Sequence, residues 1–401
     1  MGDSAPRGSG PIMGAVVDPP MRRGVLASGG KRVALLLPLT GPRAEIGQAL
    51  ARGAQVALET DGAPPVDQKD TGGTPEGAAE AARQAIAAGA GIILGPLTSG
   101  ETAAVAPIAQ AAGVPVLAFT NDAAQAKPGV WTLGIGPAQQ VYRLASALQA
   151  QGKTRLGGLL PENEVGRAMA DALIQSAAAL GMPAPTIKQY PPGAGIGALN
   201  GSVRELSNYA GRRGPIESAR RAASASGTAE GRRRAAEIGR QGVPPAPFDA
   251  LLVAENGEAL ELMSSLFAYY DIDRPAVRIL GPATWASGEG GIGYMRGAWY
   301  AAPDPASRAA FEQGYATRFG TSPPAIAALA FDAGSIARVS ATAGGYSAAA
   351  LVRPGGYVGA DGLMVLMADG QVRRGLAIYE IQRGGAQMIE PAPQTLAAPG
   401  T

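Results

Sequence analysis

The chain has 401 residues, 46% of them hydrophobic, enough for two or three lobes with real cores, and its formal net charge of +2 gives no global pull toward nucleic acid. It has no Cys and no His, which removes thiol nucleophiles, disulfides, Cys/His zinc sites and Ser-His-Asp catalysis, and with them the commonest general base. No apolar run reaches the roughly 18 residues needed to span a bilayer, and no signal peptide is visible.

Residues 1–30 are rich in Gly, Pro, Ser and Arg and lack periodicity, so a disordered leader is expected. The first strand reads as 33–37, apolar throughout. It stops at Pro38-Leu39-Thr40-Gly41-Pro42, and a helix follows with Ile46, Leu50, Ala54 and Leu58 on one face. A short strand and turn at 65–71 lead to Thr74-Pro75-Glu76, which combines an N-cap, a first-position proline and a first-turn acid; that helix extends to Ala88. A second buried strand is expected at 91–96, with exit loop 97–102 and a helix to Ala112. The strand at 114–119 follows, with Thr120-Asn121-Asp122 at its exit. In a parallel sheet these exits share one edge, and ligands bind beyond it.

The pattern restarts near Gly134, with a helix at 138–151, a strand at 156–160, an exit at 161–164, a helix at 165–180 and a strand at 186–190. Residues 191–201 read as loose and glycine-rich. A further buried strand at 248–254 exits through Glu255-Asn256-Gly257 into a helix at 258–270, and a strand at 277–280 exits through Gly281-Pro282-Ala283-Thr284. Between them, 212–240 carries eight Arg against three Glu, with helical spacing and almost no apolar face. It reads as a solvated helical insert or as a docking surface for an acidic partner or anionic lipid. Helices at 307–319, closed by Gly320, and at 324–343 precede a tail of short strands with an Asp369-Gly370 hairpin turn.

Gly152-Lys153-Thr154 ends like a P-loop, but Ala147 stands where that loop needs glycine, and the lysine precedes its strand. Thr98 and Ser99, with Thr120, Asn121 and Asp122, are the best site candidates. Hydroxyls and free N–H groups at helix N-termini suit a carboxylate, and the same groups could instead cap the helices behind them. Glu255 is a further candidate because a strand exit puts it at a cleft.

In order along the chain, Leu36-Leu37-Pro38-Leu39-Thr40-Gly41-Pro42, Gly95-Pro96-Leu97-Thr98-Ser99, Gly113-Val114-Pro115-Val116, Ala330-Phe331-Asp332-Ala333 and Gly359-Ala360-Asp361-Gly362 resemble the type I periplasmic-binding-protein superfamily in its leucine/isoleucine/valine-binding branch. The resemblance implies two Rossmann-like α/β lobes joined by three crossovers, with a cleft between them. It implies a carboxylate held at Ser99, Thr120 and Asp122. The ammonium-binding acid of that branch falls at Ala283 and its aromatic at Glu255, so half of that pocket is replaced. The second-lobe opening, 133–173, and the insert before 248–253 are similar to the penicillin-binding-protein activators, outer-membrane lipoproteins of this fold that dock on peptidoglycan synthases.

The expectation is thus a non-catalytic periplasmic protein without cofactor or metal. Its expected partner is a peptidoglycan synthase or, alternatively, an ABC permease together with an amino-acid-like ligand or small amide. A signal segment and lipid-bearing cysteine upstream would anchor it to the outer membrane. Lobe 1 is expected at 31–136 plus 302–346, lobe 2 at 137–301 plus 350–390 with the insert, and a tail at 391–401.

Overall fold

The structure, a computed structural model, describes residues 32–272, 275–287 and 292–396; the expected leader at 1–30 and the tail beyond 396 lie outside them. Strands β1 (Arg32–Leu37), β2 (Val66–Asp70), β3 (Ala90–Leu94), β4 (Val116–Ala118) and β5 (Val130–Thr132) form one parallel sheet in the order β2-β1-β3-β4-β5. Parallel neighbours need crossover connections, and α1 (Ala44–Leu58), α2 (Pro75–Ala87) and α3 (Ser99–Ala112) supply them. The strand period divides β1 between two cores: Val33, Leu35 and Leu37 meet α1, while Ala34 and Leu36 meet α2 and α3.

The chain then runs through α4 (Pro137–Ala150), β6 (Leu156–Pro161), α5 (Glu164–Ala179), β7 (Thr186–Tyr190), α6 (Ile196–Leu206), α7 (Tyr209–Ala225), α8 (Ala229–Gly239), β8 (Ala250–Val253), α9 (Gly257–Tyr269), β9 (Arg278–Gly281) and β10 (Trp299–Ala302). Next come α10 (Pro305–Phe319), α11 (Ala327–Thr342), α12 (Ala348–Leu351), β11 (Tyr357–Gly359), β12 (Gly362–Leu366), β13 (Val372–Arg374), β14 (Ala377–Gln382) and β15 (Gly385–Glu390). The second sheet is β15-β14-β10-β9-β8-β6-β7. Its parallel part, β7-β6-β8-β9-β10, repeats the order of the first sheet, and β14 and β15 extend it antiparallel.

The architecture is mixed α/β with two lobes, and three particulars depart from the sequence pattern. Residues 191–201 are not all loose: α6 forms because Leu199, Val203 and Leu206 bury one face, while its glycines stay at the surface. The segment expected wholly in lobe 2, 350–390, is divided. Leu351, Tyr357, Met364, Leu366 and Val372 pack in the core with β1, α1 and α11, and only β14 and β15 join the second sheet. Ile46, expected on the buried face of its helix, is 38% exposed.

The chain passes between the lobes at 133–136, 303–304 and 375–376, where β5, β10 and β13 end and α4, α10 and β14 begin. A buried ion pair sits among these crossovers. Arg374 Nη1 donates to Asp332 Oδ2 at 2.9 Å and Nη2 to the Leu133 carbonyl at 2.9 Å, and both side chains of the pair are 0% exposed. The other carboxylate oxygen accepts the Ala360 N–H at 2.6 Å. Residue 359 must be glycine here, because a Cβ would collide with the Asp332 carboxylate. Gln139 Nε2 donates to the Val372 carbonyl at 2.7 Å and Arg143 Nε to the Leu376 carbonyl at 2.8 Å, so α4 is tied to the third crossover.

Removing one partner of a buried pair strands the other charge. Asp332→Asn or Arg374→Met should each cost about 3–5 kcal/mol, and Asp332→Leu combined with Arg374→Met should recover a large part of that in denaturant titration. Glycine has two opposite roles. A Cβ at Gly53 would collide with the Ala327 carbonyl where α1 meets α11, so Gly53→Ala should destabilise by about 1–3 kcal/mol. Gly201, helical and with nothing nearby, should gain roughly 0.5–1 kcal/mol on Gly201→Ala in the same titration.

Candidate functional site

In the first sheet the strand order reverses between β1 and β3, and both exits are fixed by their own polar groups. Asp70, at the end of β2, holds the β1 exit: it accepts the N–H groups of Leu39 (2.8 Å), Thr40 (3.2 Å) and Gly72 (2.8 Å) and the Thr40 hydroxyl (2.7 Å). Desolvation opposes ionisation of this carboxyl, but the hydrogen bonds from Thr40, Gly72 and Leu39 together outweigh it and hold Asp70 below its ordinary value. At the β3 exit Gly95 adopts φ +98°, and a Cβ there would strike the Leu36 carbonyl.

Thr98 caps α3. Its hydroxyl donates to Glu101 Oε2 at 2.8 Å and accepts the Glu101 N–H at 3.3 Å, while the Thr98 N–H donates to the same carboxylate oxygen at 3.0 Å. Fully buried Glu101 also accepts the Thr71 hydroxyl at 2.5 Å. The Thr98 hydroxyl is therefore engaged in a capping box, the competing role that the sequence left open. Ser99 Oγ lies 3.0 Å from Thr120 Oγ1, which accepts the Asp122 N–H at 3.1 Å. Asp122 turns away to cap the short helical turn 123–125, accepting from Ala124 N–H (3.0 Å) and Gln125 Nε2 (3.1 Å).

Thr98, Ser99, Thr120 and Asn121 come together around a cavity of about 490 Å³. Arg43 lines it too, together with an apolar wall that includes Ile46, Leu97, Phe119 and Leu329. Hydroxyls, a guanidinium and an apolar wall suit a small anion with an apolar body. Arg43 lies in the stretch 39–45 that the sequence places at the cleft but was not singled out as a site residue, and Ile46 was read as a core position. Their signal was position: both lie at or just beyond the β1 exit, at the cleft edge of the sheet. Asp122 and Glu255, from the expected set, do not line this cavity.

Glu255 sits at the β8 exit, where the second sheet reverses its order. Its carboxylate accepts the Tyr190 hydroxyl at 2.6 Å and its backbone carbonyl accepts Trp285 Nε1 at 3.0 Å. Burial pushes the Tyr190 phenol far up, reinforced by the Glu255 carboxylate beside it. Trp285 is 0% exposed, and its ring fills the space that a side chain at 281 would need. The Ala283 N–H, at the place where the amino-acid-binding branch carries its acid, donates to Gln140 Oε1 at 2.8 Å. On the second rim Tyr190, Trp285 and the Ala283 N–H thus find their partners within the protein.

Residues 31–198 match a family described as periplasmic binding protein, and no curated protein matches the chain in sequence. Among solved structures the chain is similar to a leucine-binding protein, LivK, of Thermotoga maritima, with 18% identity and a TM-score of 0.51, over 90% of this chain and 98% of that one. It is similar to full-length LpoA of Haemophilus influenzae, with 17% identity and a TM-score of 0.63, over 90% of this chain and 59% of that one. It is also similar to an ABC transporter substrate-binding protein of Sphaerobacter thermophilus, with 16% identity and a TM-score of 0.57, over 92% and 98% of the two chains. These likenesses fix the fold as that of the type I periplasmic binding proteins, as the sequence resemblance implies.

A depressed carboxyl stabilises the folded chain above the ordinary value of 3.8, and that contribution is lost as pH falls through the lowered folded-state value. The thermal-unfolding midpoint of the unmodified chain should accordingly fall more steeply, as pH drops below the ordinary value of 3.8, than that of Asp70→Asn, which lacks the titrating group.

Proposed function

We propose that this type I periplasmic-binding-protein fold serves as a non-catalytic docking protein of the cell envelope, of the penicillin-binding-protein activator kind, acting on a peptidoglycan synthase. The observation that carries this reading is the second rim. Glu255 accepts from both Tyr190 and Trp285, Ala283 stands where an ammonium-binding acid is expected, and the ring of Trp285 is buried. A cleft that grips an amino acid from both sides needs an acid and an aromatic ring free on the second lobe, and here the Glu255 carboxylate is bonded to Tyr190 and the Trp285 ring is buried. The similarity of 133–173 to the activators and the likeness to LpoA support the same reading. On this reading the protein is periplasmic and held at the outer membrane by a lipid anchor.

The first-lobe cavity favours a second reading, an ABC-transporter substrate-binding protein for an amino acid or small amide. Arg43, Ser99 and Thr120 would take the carboxylate end, and Glu255, released from Tyr190, the ammonium.

The two readings separate in paired assays. Added to a purified bifunctional peptidoglycan synthase, the full chain should raise glycan polymerisation or cross-linking severalfold, and it should leave a panel of amino acids without a thermal shift. Absence of stimulation and of co-sedimentation counts against the docking reading. A thermal shift that Ser99→Ala removes would transfer support to transport, since a ligand at about 100 times its dissociation constant adds roughly 2.7 kcal/mol.

A further inference from the structure

The arginine-rich segment is a helical hairpin, and its arginines divide into two kinds. Arg212 is an anchor. Only 7% exposed, it donates to the carbonyls of Ser207 (2.9 Å), Pro244 (2.7 Å) and Tyr270 (2.7 Å), and so clamps the start of α7, the returning chain after α8 and the end of α9 together. Its guanidinium also lies 5.5 Å from the Tyr209 ring. Beyond this foot α7 and α8 pack on each other through Ile216 and Ala235, and Arg220, Arg221, Arg232, Arg233, Arg234 and Arg240 are exposed. Within the hairpin Glu217 is shared between Arg213 at 2.9 Å and Arg220 at 3.6 Å. Glu230 and Glu237 are the hairpin's other acids, against eight arginines, so a surplus of positive charge faces outward on a rigidly held support.

An aromatic cluster flanks the foot. Tyr209, Tyr269 and Tyr270 meet edge-on or tilted, with centroids 4.9–6.4 Å apart, and Tyr269 is 69% exposed. We propose that the α7–α8 hairpin, with Tyr269 at its foot, is a docking surface for an acidic segment of a protein partner. The proposal rests on the reading of the chain as a docking protein and supplies the chemistry of the contact.

Two observations favour a protein over a membrane surface. None of the exposed large apolar side chains among the described residues lies on α7 or α8, so the hairpin has nothing to insert between acyl chains. Arginine beside exposed tyrosine is also the composition of protein-interface hot spots. The 17 residues of α7 reach about 25 Å at ~1.5 Å per residue, a span that an extended acidic segment of roughly seven to eight residues would cover.

The test uses the full chain and a short fluorescein-labelled oligo-glutamate peptide, read by anisotropy. Binding should be lost on adding salt and absent for an oligo-glutamine control. Arg233→Glu, Arg234→Glu and Arg240→Glu combined should weaken it at least tenfold with the thermal-unfolding midpoint unchanged, and Tyr269→Ala should weaken it severalfold without altering the salt dependence. Peptide binding indifferent to the triple substitution overturns the proposal. So does tighter binding to vesicles of phosphatidylglycerol than to the peptide, lost in the same variant, which would make the hairpin a membrane contact. Synthase stimulation is scored separately. Stimulation by the unmodified chain that survives in the triple variant overturns the hairpin as the docking surface and leaves the activator reading in place. Peptide binding lost in the triple variant, without stimulation by any form, supports the surface and overturns the synthase as its partner.

Discussion

The buried pair of Arg374 and Asp332 is the constraint around which the two lobes are arranged. Asp332 lies on α11, reached after the second crossover, and Arg374 ends β13 just before the third. The second arm of the guanidinium takes the carbonyl of Leu133, where the first crossover begins. One side chain thus joins the start of the first passage, the start of the third and the middle of α11, in a place dry enough that neither charge has water as an alternative. A pair of this kind adds little net stability over a well-packed apolar replacement, because desolvation offsets most of the attraction. What it adds is registration: the starts of the first and third crossovers cannot shift against α11 without leaving a charge unpaired.

The two rims are built on the same strand order and finished differently. On the first, the strongest polar groups are used for construction: Asp70 ties the β1 exit, and Glu101 ties Thr98 and Thr71. Ser99, Thr120, Asn121 and Arg43 remain around the cavity. On the second, Tyr190 and Trp285 both close on Glu255. This asymmetry between the rims is what the proposed docking role rests on.

The parallel strands and their exits were legible from sequence because buried parallel strands and capped helices leave strong local signals. Thr74-Pro75 and Thr98 with Glu101 are examples, and the structure has caps at both. The strands β5 and β10, three and four residues long, were not legible, since so short an apolar run has no period to read. Gly197 and Gly201 hid α6, whose stability comes from the tertiary burial of Leu199, Val203 and Leu206 and not from propensity. The destination of β11–β13 could not be read either, because an alternating strand shows that one face is buried without showing in which core. Glu255 looked free at its strand exit; its partner Tyr190 lies 65 residues away in the chain, a distance no local pattern spans.

The shared ownership of the cores has a kinetic side. The first lobe requires Tyr357, Met364 and Val372, and the second requires β14, which ends at Gln382. A ribosome that has released the first three hundred residues has therefore produced neither core in finished form. Both lobes must stay partly open, with apolar sheet faces uncovered, until nearly the whole chain has emerged, and they then close almost together. Such a chain offers no clean place to cut, and its nascent form is of the kind that chaperones hold.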